Sequence, residues 1–179
     1  MPTLSRRQLA VFLSPLLFGS CAGVAPPPHA ATAPVTLFLV RHAEKASEAD
    51  DSPLTEAGRE RARTLARLIG EAGVMAIYTT QYARNIETAK PLAEKLGIAP
   101  VVSPAANPDD LVARLREIKP GGAALVVSHT DRLPPIGEKL GVQIPEVDHA
   151  EFDRLTVVTL WNESAEARNL RYGNPSPAQ

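Results

Sequence analysis

The hydrophobic pattern along the chain alternates between two kinds of run. Val35-Thr36-Leu37-Phe38-Leu39-Val40 and Ala123-Ala124-Leu125-Val126-Val127-Ser128 are each apolar at five positions of six. Short continuous runs of this kind predict strands buried on both faces of a sheet. Residues 74–79 predict another strand, and residues 98–103 a further one, interrupted by Pro100 and therefore near an edge. Between the strands, apolar residues recur at helical spacing. Ala62, Leu65, Ala66, Ile69 and Ala72 predict a helix opened by Thr55 as N-cap, with Glu56 in its first turn, and closed by Gly73. Its Arg59, Arg63 and Arg67 read as a solvated face.

Ile86, Ala89, Ala93 and Leu96 predict a second helix ending at Gly97. Asn107-Pro108-Asp109-Asp110 opens a third, with Leu111, Leu115 and Ile118 on one face and Pro120-Gly121-Gly122 as its stop. A short helix from Pro134-Pro135 to Gly141, a loop over 142–153, and two strands at 155–161 and 167–172 complete the chain. Strands alternating with helices predict a three-layer α/β/α sandwich with a mainly parallel sheet and a closing hairpin.

The polar residues carry the chemistry because of where the strands deliver them. The first strand breaks without a turn residue into Arg41-His42-Ala43-Glu44-Lys45. Taken alone, this is equally a strand surfacing into solvated charge. The strand ending at Ser128 also hands over a histidine, His129. Two buried strands that each present a His at the carboxyl edge of an open α/β sheet point to a ligand crevice there. Arg84 follows the strand at 74–79 and opens a helix, again at that edge, where helix N-termini favour anions. Two histidines offer neutral ring nitrogens, and two arginines offer guanidiniums that fork onto phosphate oxygens. That set suits phosphoryl transfer, which needs an in-line nucleophile and cationic donors on the equatorial oxygens.

Composition narrows the reading. The chain of 179 residues is long enough for one domain with a core, and a formal charge of −1 without a basic cluster excludes a nucleic-acid surface. Residues 1–20 read as a signal peptide, with Arg6-Arg7 ahead of an apolar run resembling a twin-arginine export signal. The single cysteine, Cys21, follows Gly19-Ser20 as in a lipobox, with Phe18 where Leu or Val is usual. The alternative is an ordinary cleaved leader that contains a Cys. Cleavage before Cys21 removes Arg6 and Arg7 from 19 basic residues, leaving 17 against 20 acidic ones and a charge of −3. Residues 21–34, with Pro26-Pro27-Pro28, read as a Pro/Ala-rich tether containing an idle His29. The domain is expected over 35–173 and a flexible tail over 174–179.

Four segments together resemble the histidine phosphatase superfamily, with its phosphoglycerate-mutase-like fold: Leu39-Val40-Arg41-His42-Ala43-Glu44, Pro53-Leu54-Thr55-Glu56-Ala57-Gly58, Arg84-Asn85-Ile86-Glu87-Thr88-Ala89 and Val126-Val127-Ser128-His129. The resemblance implies that His42 is a nucleophile that becomes a phosphohistidine, that Arg41, Arg84 and His129 hold the phosphoryl oxygens, and that no metal or other cofactor takes part. Thr79 and Thr80 stand where the family often carries Ser and either border the pocket or simply end a strand. Glu44 is expected to orient the pocket by hydrogen bonding.

Larger relatives carry a Glu general acid in an insertion that this chain is too short to hold. Histidine acid phosphatases place an Asp directly after the second His, where this chain has Thr130. Asp131 is then the candidate proton donor, while Asp109 and Asp110 belong to a helix start. The implied activity is a metal-independent phosphatase acting outside the cytoplasm on a phosphorylated small molecule or a phosphoprotein, with the membrane reached only through Cys21. The alternatives are an inactive anion-binding lipoprotein and a phosphomutase. The loops at 46–52 and 142–153, the latter with Asp148 and His149, are expected at the mouth.

Overall fold

A computed structural model of the chain describes residues 33–104, 108–162 and 164–176. The leader, Cys21, His29 and the tether up to residue 32 lie outside the described residues, as does the cap expected at Asn107. Six strands, β1 (Val35–Arg41), β2 (Val74–Thr79), β3 (Val101–Val102), β4 (Ala123–Ser128), β5 (Arg154–Leu160) and β6 (Ala165–Arg171), form one sheet in the order β3-β2-β4-β1-β5-β6. The pairings among β3, β2, β4 and β1 are parallel, and those from β1 to β5 and from β5 to β6 are antiparallel. Four helices, α1 (Glu56–Ile69), α2 (Ala83–Leu96), α3 (Pro108–Arg116) and α4 (Leu133–Leu140), complete the α/β architecture.

The side-chain period of two along β1 splits its residues between the two faces. Val35, Leu37 and Leu39 join a core with Leu111 and Leu115 of α3 and Ile136 and Leu140 of α4. Phe38 and Val40 join the opposite core with Leu65 and Ile69 of α1 and Leu92 of α2. Leu37, Leu39 and Leu125 have no exposed surface. Each such burial stabilises the fold by about 1.5–3 kcal/mol.

Several boundaries differ from the sequence expectation. Helix α1 stops at Ile69 with Gly70 as its cap, and Gly73 instead takes a left-handed φ of 71° in the turn before β2, which leaves Ala72 outside the helix and exposed. Ile86 is exposed rather than buried, because α2 turns Asn85, Thr88, Ala89, Leu92 and Ala93 inward. Strand β3 shrinks to two residues at the sheet edge. The segment expected as a tail is tied down at its start: Arg61 Nη2 donates to the Asn174 carbonyl at 2.9 Å, and Phe152 N donates to Ser176 Oγ at 2.8 Å. Among the described residues, no helix is long and apolar enough to cross a membrane.

Candidate active site

Strand β1 ends with its ladder intact, because His42 N donates to the Ser128 carbonyl of β4 at 3.0 Å. The chain then turns, and three side chains outside the strand hold the turn. Ala43 N donates to Thr88 Oγ1 at 2.9 Å, and that hydroxyl donates to the Arg84 carbonyl at 2.7 Å. The Glu44 carbonyl accepts from Thr55 N at 2.8 Å, and Thr55 Oγ1 also accepts from Gly58 N to cap α1. A Cβ built at Gly58 would lie 2.5 Å from the Glu44 carbonyl oxygen, so only glycine lets the first turn of α1 pack this closely. Glu87 of α2 accepts from Leu54 N at 2.8 Å and fixes the approach to the same cap.

The imidazole of His42 is buried at 4 % exposure, and its Nδ1 lies 2.8 Å from the Ala43 carbonyl. A carbonyl only accepts, so Nδ1 carries the proton and Nε2 keeps the lone pair. Burial, reinforced by the charges of Arg41 and Arg84 and opposed by the bond to Ala43, pushes the His42 pKa down to about 3. The second histidine, His129, stands edge to face with it at 5.6 Å between ring centroids. Its Nε2 is 2.9 Å from Thr80 Oγ1, and burial with the nearby Arg84 charge lowers its pKa to about 4. The pair is therefore neutral across the physiological range. Two neutral imidazoles can thus stand side by side without a charge clash.

Both arginines reach this place in the same manner. Arg41 Nη1 donates to the carbonyls of Asp148, His149 and Glu151 at 3.0, 2.6 and 3.3 Å, while its Nε is buried with no acceptor among the described residues. Arg84 Nη1 donates to the Asp50 carbonyl, and its Nε is likewise buried with no acceptor among the described residues. A guanidinium stays protonated at any relevant pH, so each Nε–H is a cationic donor awaiting an acceptor. Asp51 Oδ1 accepts from Ala83 N at 2.7 Å, which folds the loop of residues 46–53 over the N-terminus of α2. Ser52, 1 % exposed, closes that loop by accepting from Ser47 N at 2.9 Å.

The structure thus brings Arg41, His42, Arg84 and His129 to one end of the sheet. Thr80 joins them through His129, and Thr79 is buried beside Thr80 with its hydroxyl unpartnered among the described residues. The Glu44 side chain accepts its hydrogen bonds from Arg61 of α1. Its carboxylate pairs with Arg61 at 2.7 Å, and Arg61 Nη1 also donates to the Tyr172 carbonyl at 3.0 Å. The side chain of Asp131 is 70 % exposed and pairs with Arg132 at 3.1 Å. Asp148 and His149 contribute backbone carbonyls to Arg41. Sequence reasoning did not single out Arg61, Asn85, Thr88 or Phe152. Arg61 was signalled by its spacing, since 58, 61, 62 and 65 share a face of α1. Asn85, fully buried, donates from Nδ2 to the Val127 and Ser128 carbonyls at 3.2 Å each. Among the described residues, no group of three or more His, Cys, Asp or Glu is arranged to hold a metal ion.

Residues 37–107 match the model of the histidine phosphatase superfamily (branch 1). A probable phosphoglycerate mutase GpmB of Yersinia enterocolitica is 34 % identical over 92 residues, covering 48 % of this chain and 39 % of that protein. The chain thus matches well under half the length of this curated relative. Among solved structures, the protein histidine phosphatase SixA complexed with tungstate superimposes with a TM-score of 0.60 at 18 % identity, covering 76 % of this chain and 96 % of its own. A mycobacterial glucosyl-3-phosphoglycerate phosphatase gives 0.60 at 18 % identity, covering 79 % and 99 %. At these identities the two structures establish the fold.

Proposed function

We propose that the chain, whose residues 37–107 match the histidine phosphatase superfamily, is a metal-independent phosphatase that hydrolyses a phosphomonoester or a phosphohistidine through a covalent phosphohistidine on His42. One observation carries the reading. Two buried guanidinium Nε–H groups lack an acceptor among the described residues at the end of the sheet that holds two neutral histidines. A phosphoryl group supplies the missing acceptors, and the donors need no reorganisation as charge builds on its oxygens.

In the first step the lone pair on His42 Nε2 forms a bond to phosphorus as the bond to the leaving group breaks. The ring gains positive charge, which the Ala43 carbonyl stabilises through Nδ1–H. Arg41, Arg84 and His129 hold the equatorial oxygens. The leaving group takes a proton, for which Asp131 is the candidate donor. Water then attacks the phosphohistidine, orthophosphate departs and His42 returns to its neutral form. The names of the neighbours include a protein phosphatase and a small-molecule phosphatase, and this chemistry serves either kind of substrate.

The test is trapping during turnover of an aryl phosphate. An acid-labile phosphoryl group should appear on the wild type and be absent from His42→Ala. Turnover near the wild-type rate in His42→Ala overturns the assignment, and a stable phosphoryl group passed back to a second substrate in preference to water marks a mutase. The export and anchoring readings rest on residues 1–34 of the sequence. If Cys21 carries lipid, Cys21→Ser releases the exported domain from membranes, whereas a wholly soluble wild type leaves a plain signal peptide.

A further inference from the structure

The two arginines do not stand in the site unsupported. Arg41 Cζ lies 4.2 Å from the ring centroid of Phe152, and Arg84 Cζ lies 4.4 Å from that of Tyr82. The same two rings also meet the histidines. Phe152 is 6.2 Å from the His42 ring at an interplanar angle of 53°, and Tyr82 is 5.3 Å from the His129 ring at 85°. The site is thereby divided into two matching halves, each made of an arginine, a histidine and an aromatic ring.

We infer that Phe152 and Tyr82 are positioning residues that set the planes of the two guanidiniums so that each Nε–H faces the phosphoryl group. The inference rests on the proposed role of Arg41 and Arg84 as phosphoryl ligands. A guanidinium on a flexible stem has one corner fixed by its Nη1 bonds to the loop carbonyls. Those bonds leave it free to tilt about that corner, and a tilt carries Nε away from its target. A ring face against the guanidinium removes the tilt, because the negative quadrupole of the face attracts the cation. The loop of residues 142–153 supplies both constraints to Arg41, with carbonyls at 148, 149 and 151 and a ring at 152. The Phe152 backbone is itself held by the bond from its N to Ser176 Oγ. For Arg84 the ring comes from the residue just before α2, and the corner comes from the loop carrying Asp50. An aliphatic side chain of similar size fills the same space without the quadrupole.

Calorimetric binding of inorganic phosphate to the full chain tests this, using Phe152→Leu and Tyr82→Leu beside the aromatic exchanges Phe152→Tyr and Tyr82→Phe. Each Leu variant should bind phosphate roughly two- to thirtyfold more weakly, the range of a cation–π contact, while the aromatic exchanges stay within about twofold of wild type. Melting temperatures identify any variant that fails to fold, and Phe152→Met replaces Phe152→Leu in that case. Wild-type affinity in the Leu variants overturns the inference, as does an equal loss in the aromatic exchanges. If the His42 phosphoryl label forms but the Leu variants bind normally, only the positioning role falls. If wild type neither binds phosphate nor takes the label, the reading of the whole site falls with it.

Discussion

The hydroxyl of Thr88 accepts a hydrogen bond from the Ala43 amide at 2.9 Å and thereby joins the middle of α2 to the turn that follows His42. The same oxygen donates to the Arg84 carbonyl, so one hydroxyl ties the turn after His42 to the backbone of Arg84. Thr88→Val keeps the shape and removes both bonds. Leaving a buried amide unsatisfied costs about 1–3 kcal/mol. With His42 as the proposed nucleophile, the expected result is a kcat reduced roughly ten- to a hundredfold with a smaller change in KM. Thr88→Ser, which keeps the oxygen, should recover most of the rate, and steady-state kinetics on the two variants decide the matter.

The histidines make a pH prediction of definite sign. Burial holds His42 down to about 3 and His129 to about 4, below the ordinary value of 6.5. The unfolded chain therefore binds more protons than the native one as pH falls below 6.5, and stability must fall with it until the native rings protonate near 4 and then 3. Melting temperature should decline through this window, and His129→Gln should flatten part of the decline. In the ligand-free protein, imidazole resonances of both rings should not titrate between about pH 8 and pH 5. A His42 midpoint near 6.5 contradicts the buried, neutral ring described here.

Asp131 is placed to be tested by leaving group. An alkoxide departs poorly and gains about 10²–10⁴-fold from a general acid, whereas an aryl oxide or imidazole departs readily. If Asp131 is the donor, Asp131→Asn slows alkyl phosphates at least tenfold and aryl phosphates little. Equal rates on both would confine its exposed carboxylate to the ion pair with Arg132. Fast alkyl turnover that persists in the variant places the donor elsewhere.

What the sequence made legible follows a physical line. Strands β2 and β4 run over the expected residues because continuous apolar runs have one comfortable place, the middle of a covered sheet. Arg41, His42, Arg84 and His129 were legible because they stand where such strands end or where the next helix begins. Apolar periodicity failed on α2, where Asn85 and Thr88 are as buried as Ala89. Their polar atoms bond backbone outside their own helix, which no hydrophobic pattern encodes. Arg61 escaped notice for a related reason, since its charge hid a core-facing position that Glu44 makes tolerable. Phe152 lies in a loop, and only the fold brings it against Arg41. The Gly70 ending of α1 was missed because two glycines, Gly70 and Gly73, compete for the stop, and the nearer one took it.

The place of β1 in the sheet also governs when the protein becomes competent. Its neighbours are β4 on one side and β5 on the other, so residues 35–41 pair with residues 123–128 and 154–160. A strand whose partners lie so far along the chain must wait for them, and closing such distant contacts is slow. A chain emerging from its N-terminus has made Arg41 and His42 long before it has made β5, the strand that pairs with β1 over Val35–Val40, or the carbonyls at 148–151 that hold Arg41. Arg41 and His42 are thus synthesised well before the segments that hold them and are assembled only once those segments have arrived. Until the β5–β6 hairpin closes, β1 lacks its antiparallel partner, and Arg41 and His42 stand without their final support.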